Sequence, residues 1–174
     1  NLIIRAQGPV DWAPIDIMRC MLYKPLEQQW DLNTASSQAL QRPGVNLLIA
    51  HKQTPKRYSE AARDFVTNVI SNREADGTVY TIASSTNCTY EVPVGEGVIR
   101  ADTPVSGKLM RVDPNNPNKT YMTIVNEVDL RGNVPAFALR TAFKDQGFII
   151  SRLRKTLPRW KEMFPASQQP PLKS

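Results

Sequence analysis

The chain has 174 residues, of which 41% are hydrophobic and 22% are charged, as is usual for a globular protein. We expect one domain over residues 1–160 and a tail over residues 161–174. No apolar run approaches the ~18 residues that a membrane-spanning helix needs. The net charge of +6 favours anionic partners, either a membrane surface or nucleic acid. Cys20 and Cys88 are too few for a disulfide framework, so we expect a reducing compartment.

The first part of the chain is predicted to place short helices between two groups of strands. The predicted elements are, in order, a strand at residues 1–10, a helix at residues 14–24 that is interrupted at Pro25, a weak strand at Ser36–Gln41 and a strongly apolar strand at residues 45–51. Pro14 marks the helix start and Arg42-Pro43-Gly44 marks a turn.

The second part is predicted to consist of strands joined by tight turns. The predicted strands are residues 63–70, 78–85, 98–101, 107–112 and 121–128, with a hairpin turn at residues 73–77, a loop at residues 87–97 and a turn at residues 113–118. Asp76-Gly77 is a strong hairpin signal, and successive strands joined in this way form an antiparallel sheet.

Residues 135–157 are predicted to form one long helix after a sharp turn at Gly132. Apolar residues recur there at spacings of three and four, which is the period of one helix face. This face contains Leu139, Ala142, Phe143, Gln146, Ile149, Ile150 and Leu153, and the basic residues Arg140, Lys144 and Lys155 lie roughly opposite it. Gly147 costs the helix about 1 kcal/mol relative to Ala, so packing against a sheet has to stabilise it. We therefore predict an α+β fold.

The residue types of common catalytic and metal sites are scarce in this sequence. His51 is the one histidine and lies in an apolar strand, so we expect it to be structural. Aromatic residues lie mostly at core positions rather than among basic residues, which argues against nucleic-acid binding. We predict no enzyme activity, no metal and no cofactor. A small hydrolase or isomerase that uses a cavity carboxylate, Asp64 or Glu127, is the enzymatic alternative.

Five short motifs occur together in one order along the chain. They are Trp30-Asp31, Ala62-Arg63-Asp64-Phe65-Val66, Asp76-Gly77, Gly97-Val98-Ile99-Arg100-Ala101 and Asp129-Leu130-Arg131-Gly132-Asn133-Val134-Pro135. Their order and spacing resemble the START domain family of lipid-transfer modules from residue 1 to about residue 157. The family's N-terminal helix and first strand have no counterpart in this chain, so we expect a truncated or partial domain.

The resemblance implies the helix-grip fold, in which a curved antiparallel sheet wraps around a long C-terminal helix and one lipid lies between them. The predicted lipid-binding residues are Phe65, Thr67, Val69, Ile82, Arg100, Ile124, Leu139, Ala142, Phe143, Gln146, Ile149 and Leu153. The resemblance also implies a gate, formed by the near face of the helix and the hairpin residues Arg73, Glu74, Ala75, Asp76 and Gly77.

Recognition of the lipid head group cannot be transferred from the family to this chain. Some relatives use a buried Arg that faces a carboxylate, and alignment places these charges at Val69 and at Ala50 or His51. Neither charge is present here. Arg100 is the best remaining buried cation for a phosphate or a hydroxyl, with an ion pair to Asp102 or Glu127 as the structural alternative.

The resulting functional prediction is a lipid-transfer protein that carries one phospholipid or sterol, with a slight preference for phospholipid. The expected partners are this lipid and, transiently, an anionic membrane surface, but no nucleic acid. We expect a monomer in the cytoplasm that is peripheral at membranes. The alternative is a lipid-sensing regulatory or docking module of the same fold without net transfer.

Overall fold

The computed structural model describes residues 2–56, 61–85 and 92–164, which form a sheet with helices packed against it. The strands are β1 Leu2–Val10, β2 Ser36–Gln41, β3 Leu47–Gln53, β4 Ala62–Arg73, β5 Val79–Ser85, β6 Val98–Arg100, β7 Asp102–Asp113 and β8 Asn116–Asp129. The helices are α1 Pro14–Leu22, α2 Glu27–Trp30 after a 3₁₀ turn at Lys24–Leu26, α3 Ala136–Gly147 and α4 Ile149–Met163. The predicted α+β class and order of elements are confirmed.

The strands form one curved sheet in the order β1-β8-β7-β5-β4-β3-β2 across the described residues. Neighbours in this order are antiparallel, as predicted, and Gly77 forms the β4–β5 turn with a φ of 85°. The strand β6 is a correction to the prediction, because it pairs parallel to β4 with Ala62 opposite Val98. The strand β6 thus has the opposite direction to β5 and lies alongside the first residues of β4.

Several strands extend beyond their predicted ends. The strand β3 was predicted at residues 45–51 but runs from Leu47 to Gln53, which brings Lys52 into the sheet. The strand β8 begins at Asn116, inside the predicted turn at residues 113–118. In the predicted loop at residues 87–97, residues 87–91 lie outside the described residues.

The prediction of one C-terminal helix ending at Leu157 was wrong in two respects. The helical segment is divided into α3 and α4 at Phe148, whose backbone has a φ of −90° and a ψ of 0°. The second helix then continues through Pro158 to Met163. A proline inside a helix costs about 3 kcal/mol, and burial of Leu157 and Trp160 offsets this cost.

The hydrophobic core lies between one part of the sheet and the helices α1 and α4. Its most deeply buried members include Val10, Ile17, Val79, Met110, Met122, Leu153, Leu157 and Trp160. Cys20 belongs to this core, and burial raises the pKa of its thiol to about 12. Cys88 lies outside the described residues. Among the described residues, no helix is both long and apolar enough to cross a bilayer.

Candidate functional site

A cavity of about 270 Å³ lies between the inner face of the sheet and the helices α1, α2 and α3. Strand β4 shows how the sequence builds its wall. Arg63, Phe65, Thr67 and Val69 alternate along this strand and line the cavity, because every second side chain of a strand points to the same face. Strands β3, β5, β7 and β8 contribute lining residues as well, so that the wall is continuous across the sheet.

The helix α3 covers the cavity with one face. Ala138, Ala142, Gln146 and Ile149 are spaced by three or four residues and line the cavity together with Phe143. The helix α3 buries Ala138. The helix α4, in contrast, buries Ile149, Ile150, Leu153, Thr156, Leu157 and Trp160. The helix α3, which covers the cavity, therefore has fewer buried residues than α4.

The structure brings part of the predicted lipid-binding set together around this cavity. The members that line it are Phe65, Thr67, Val69, Ala142, Phe143, Gln146 and Ile149, whereas Ile82, Arg100, Ile124, Leu139 and Leu153 are not among its lining residues. Ile124 and Leu153 are buried in the adjoining core. Ile82 is 48% exposed on the outer face, because its neighbours Thr81 and Ala83 point inward.

Arg100 is held in a structural ion pair rather than at the cavity. Its guanidinium donates to both oxygens of the buried Asp64 carboxylate, at 2.8 and 2.9 Å, and to the Val92 carbonyl. The predicted structural alternative named Asp102 or Glu127, so the pairing was right in kind but wrong in partner. The Asp64 carboxylate also contacts His51 on β3, with 3.0 Å between His51 Nε2 and Asp64 Oδ2.

Electrostatics keep the Asp64 carboxylate ionised. Burial opposes its ionisation, but hydrogen bonds from Arg100 and His51 outweigh burial and hold the pKa of Asp64 below its usual value. Neither Asp64 nor Glu127, the carboxylates of the enzymatic alternative, lines the cavity of the described chain.

Arg63 connects the sheet to the segment that precedes α3. Its guanidinium donates to the carbonyls of Ala61, Leu130 and Arg131, at distances between 2.6 and 3.2 Å. These contacts hold the start of β4 against the segment that precedes α3. Beside it, Gly132 adopts a φ of 67°, and its ideal Cβ position lies 3.8 Å from the Arg63 guanidinium.

The hairpin that was predicted to act as a gate does not border this cavity. Its residues Arg73, Glu74, Ala75, Asp76 and Gly77 are all described, and none of them is a lining residue. The turn instead approaches strand β7, because a Cβ on Gly77 would lie 3.2 Å from Val112. The gate assignment stays a prediction.

A buried ion pair in the cavity wall was missed by the sequence analysis. The Lys52 ammonium on β3 lies 2.5 Å from the Asp31 carboxylate, which also accepts hydrogen bonds from Thr34 and from the Asn33 backbone. The alternation of Leu48, Ala50 and Lys52 along β3 was the available signal, but the predicted strand ended at residue 51 and so did not include Lys52.

Both members of this pair are ionised. Burial opposes the charge on Asp31, but the adjacent Lys52 ammonium and the Asn33 backbone N–H hold the pKa of the carboxyl below its usual value. Burial likewise opposes the charge on Lys52, but the Asp31 and Glu27 carboxylates raise the pKa of the ammonium.

A chain of hydrogen bonds runs from this pair to the part of the cavity wall that β7 and β8 form. Gln146 on α3 donates to Asp31 at 3.5 Å and accepts from Asn126 on β8 at 2.9 Å. Asn126 in turn accepts from the Ser106 hydroxyl on β7 at 2.5 Å. The cavity therefore combines mainly apolar walls with a connected set of polar side chains, a combination that is usual in sites for small molecules.

The comparison with family models gives a match to the START domain over residues 3–163. Mouse StAR-related lipid transfer protein 5 is 26% identical over 151 residues, which cover 81% of this chain and 68% of that protein. Chicken mitochondrial steroidogenic acute regulatory protein is 28% identical over 137 residues, which cover 76% of this chain and 48% of that protein. The chain thus spans between about half and two thirds of these relatives.

Solved structures show the same fold. Human StAR-related lipid transfer protein 5 superposes with a TM-score of 0.77 at 24% identity, over 90% of this chain and 75% of that chain. Human STARD10 superposes with a TM-score of 0.81 at 16% identity, over 97% of this chain and 69% of that chain. The family match covers nearly all of the described residues and includes the sheet and helices around the cavity. The chain belongs to the START domain family, whose members bind lipids.

Proposed function

We propose that this protein takes one lipid from a membrane into the cavity between its sheet and α3 and delivers it to another membrane. The observation that carries the proposal is the cavity itself, whose walls are built mainly from apolar side chains of the sheet and helices. A lipid chain gains about 0.8 kcal/mol for each CH₂ group that leaves water. A dry apolar cavity matches what the bilayer offers, so that extraction becomes an exchange between similar environments.

The opening step in this proposal is a displacement of α3. The cavity volume lies just below the ~300–1,000 Å³ that is usual for ligand sites, so a lipid needs additional space or a temporary opening. The small number of buried residues in α3 makes it the wall that moves most easily. The Phe148 junction with the well-packed α4 supplies a hinge.

The surface of α3 supports transient contact with an anionic membrane. Phe137 is 71% exposed, and the basic residues Arg140 and Lys144 are exposed on the same helix. An apolar side chain next to basic residues is typical of surfaces that bind at the membrane interface. We propose that the protein acts as a cytoplasmic monomer that reaches membranes through this helix.

A pair of neighbouring substitutions on β4 tests the proposal. Val69 lines the cavity, whereas Ile70 is 48% exposed on the opposite face. Val69→Trp fills the cavity and is expected to abolish the binding of lipid measured by native mass spectrometry. It is also expected to abolish the transfer of fluorescent lipid between vesicles. The matched control Ile70→Trp is expected to retain both activities.

The outcomes separate the possible functions. If Val69→Trp and Ile70→Trp lost or retained lipid binding to the same extent, the cavity would not be the place where the lipid binds. Absence of any bound lipid on the unmodified protein, together with no transfer, would overturn it. Tight binding with exchange between vesicles no faster than in the absence of protein would indicate the alternative, a lipid sensor without net transfer.

A further inference from the structure

Arginine side chains hold both ends of the segment that contains α3. Before the helix, the Arg63 guanidinium on β4 donates to the Leu130 and Arg131 carbonyls, at 3.1 and 3.2 Å. At the end of the helix, Arg152 on α4 donates to the backbone carbonyl and the carboxylate of Asp145, at 2.6 and 2.8 Å. Opening of the cavity therefore displaces α3 between two anchored points.

Little apolar burial holds α3 against the cavity between these points. Ala138 is the one residue of this helix that is buried, and it offers only a methyl group. The helix has 12 residues, and a helix of this length without tertiary contacts is only marginally stable in water. The remaining contacts of its inner face therefore decide whether α3 stays closed.

Two amide side chains from other elements are bonded to the second half of α3. The Asn33 amide, in the connection between α2 and β2, donates to the Ala142 carbonyl at 3.2 Å. The Asn126 amide on β8 donates to the side-chain oxygen of Gln146 at 2.9 Å. Gln146 also donates to Asp31 in a longer contact of 3.5 Å. Ala142 and Gln146 are about one helical turn apart, so these contacts hold the same stretch of helix.

The groups that hold α3 are themselves fixed by other contacts. The Asp31 carboxylate is paired with the Lys52 ammonium and accepts a hydrogen bond from the Asn33 backbone. The Asn126 side chain accepts from the Ser106 hydroxyl at 2.5 Å. When the contacts to α3 break, the helix is therefore the part that moves, and the wall of the cavity keeps its shape.

Hydrogen bonds at such a position can be broken and remade easily. When α3 moves away, water reaches the cavity wall and replaces each lost bond, so one bond changes the opening equilibrium by only about two- to tenfold. We propose that Asn33, Asn126 and Gln146 form a polar latch that holds α3 closed and sets how fast the cavity opens. This inference rests on the proposed function and assigns the three as positioning residues for lipid exchange.

Substitutions that each break one contact of the latch test the inference. Gln146→Met removes the amide but keeps an unbranched side chain of similar length and a good helix former. Asn33→Ala removes the contact with the Ala142 carbonyl. Gln7→Met is the matched control, because the exposed Gln7 on β1 makes a similar side-chain hydrogen bond, of 3.2 Å, to Thr123 on β8.

Hydrogen–deuterium exchange of the purified protein without added lipid measures the opening. Backbone amides of residues 139–146 on α3 should exchange about two- to tenfold faster in both latch variants than in the unmodified protein. Amides of residues 153–160 on α4 should exchange at an unchanged rate, because they report on the core. A general loss of stability would instead raise the exchange rate in both helices. Gln7→Met should change neither helix.

Transfer between vesicles gives the second measurement. NBD-labelled cholesterol and NBD-labelled phosphatidylcholine are each followed from donor to acceptor vesicles of phosphatidylcholine. Whichever probe the protein carries should be transferred about two- to tenfold faster by the two latch variants, since opening limits the exchange. Gln7→Met should transfer it at the unmodified rate.

The two measurements separate failure of the latch from failure of the proposed function. Unchanged exchange of the α3 amides in both latch variants, or an equal rise in α3 and α4, would overturn the latch. Faster exchange of α3 with unchanged or slower transfer would overturn its role in setting the rate. If the unmodified protein neither binds nor transfers any lipid, the proposed function fails, and so does the role of the latch in lipid exchange.

Discussion

The side-chain contacts of Asp64 connect three strands of the sheet. Its carboxylate lies on β4, accepts from Arg100 on β6 and contacts His51 on β3. The ion pair accounts for the parallel attachment of β6, since Arg100 is the residue paired with Asp64 in the register of the two strands. Asp64, which belongs to one of the five motifs, thus connects strands and does not line the cavity.

Replacement of Asp64 is expected to destabilise the fold in a pH-dependent way. Asp64→Asn leaves Arg100 without its carboxylate, and we expect a loss of about 3 kcal/mol at pH 7, the low end for a buried pair, because Arg100 is 30% exposed. The pKa of Asp64 is lower in the folded chain than in the unfolded chain. Its contribution is therefore complete at neutral pH and disappears as the pH falls below about 4.

Urea unfolding of both proteins between pH 7 and pH 3 measures this difference. The difference in unfolding free energy should be large at pH 7 and shrink towards pH 3. Asp11→Asn replaces an exposed carboxylate and should have little effect throughout. A difference for Asp64→Asn that stays constant with pH would contradict the assignment of an ionised Asp64.

At the scale of elements, the division of the C-terminal helical segment is the main feature that periodicity did not predict. The inward-facing positions of α3 and α4 fit one helical pattern in the sequence, because Ala142, Gln146, Ile149 and Leu153 keep spacings of three and four. Ala142 and Gln146 line the cavity, whereas Leu153 is buried in the hydrophobic core. The environment of this face therefore changes along the segment although its periodicity does not. Gly147 was the one local signal, and it lies immediately before the break at Phe148.

Two glycines next to this element are expected to respond in opposite ways to alanine. Gly147 does not have a positive φ, and a Cβ there would meet nothing within 4 Å, so Gly147→Ala should stabilise the protein by about 0.5–1 kcal/mol. Gly132 has a φ of 67°, so Gly132→Ala should destabilise it by about 1–2 kcal/mol. Thermal unfolding of the two variants measures both changes, and the same sign for both would contradict the backbone assignment.

At the scale of the whole molecule, the positive charge acts together with the position of α3. The net charge of +6 does not say which surface meets an anionic partner. The fold places Arg140 and Lys144 on the outer side of the helix that covers the cavity. A membrane bound there would lie against the wall that has to open.

Charge reversal on α3 is expected to slow delivery without weakening the binding of lipid. Each basic residue near an anionic surface contributes about 1 kcal/mol, so Arg140→Glu with Lys144→Glu should slow transfer to vesicles containing phosphatidylserine at least about tenfold. Transfer to vesicles of phosphatidylcholine alone should change little, as should the amount of lipid bound. The control Arg111→Glu with Lys119→Glu changes the same charge on β7 and β8. An equal effect of both pairs would remove α3 as the docking surface.

Local periodicity and turn residues were sufficient to predict the fold class, the order of the elements and the shared face of Phe65, Thr67 and Val69. The motifs added the family, which the match over residues 3–163 supports. The identity of the polar contacts was decided by the tertiary structure alone. Arg100 pairs with a residue 36 positions away, and the Asp31–Lys52 pair and the Gln146–Asn126 contact join separate elements. Such contacts depend on how strands and helices meet in space, and no spacing along the chain encodes that distance.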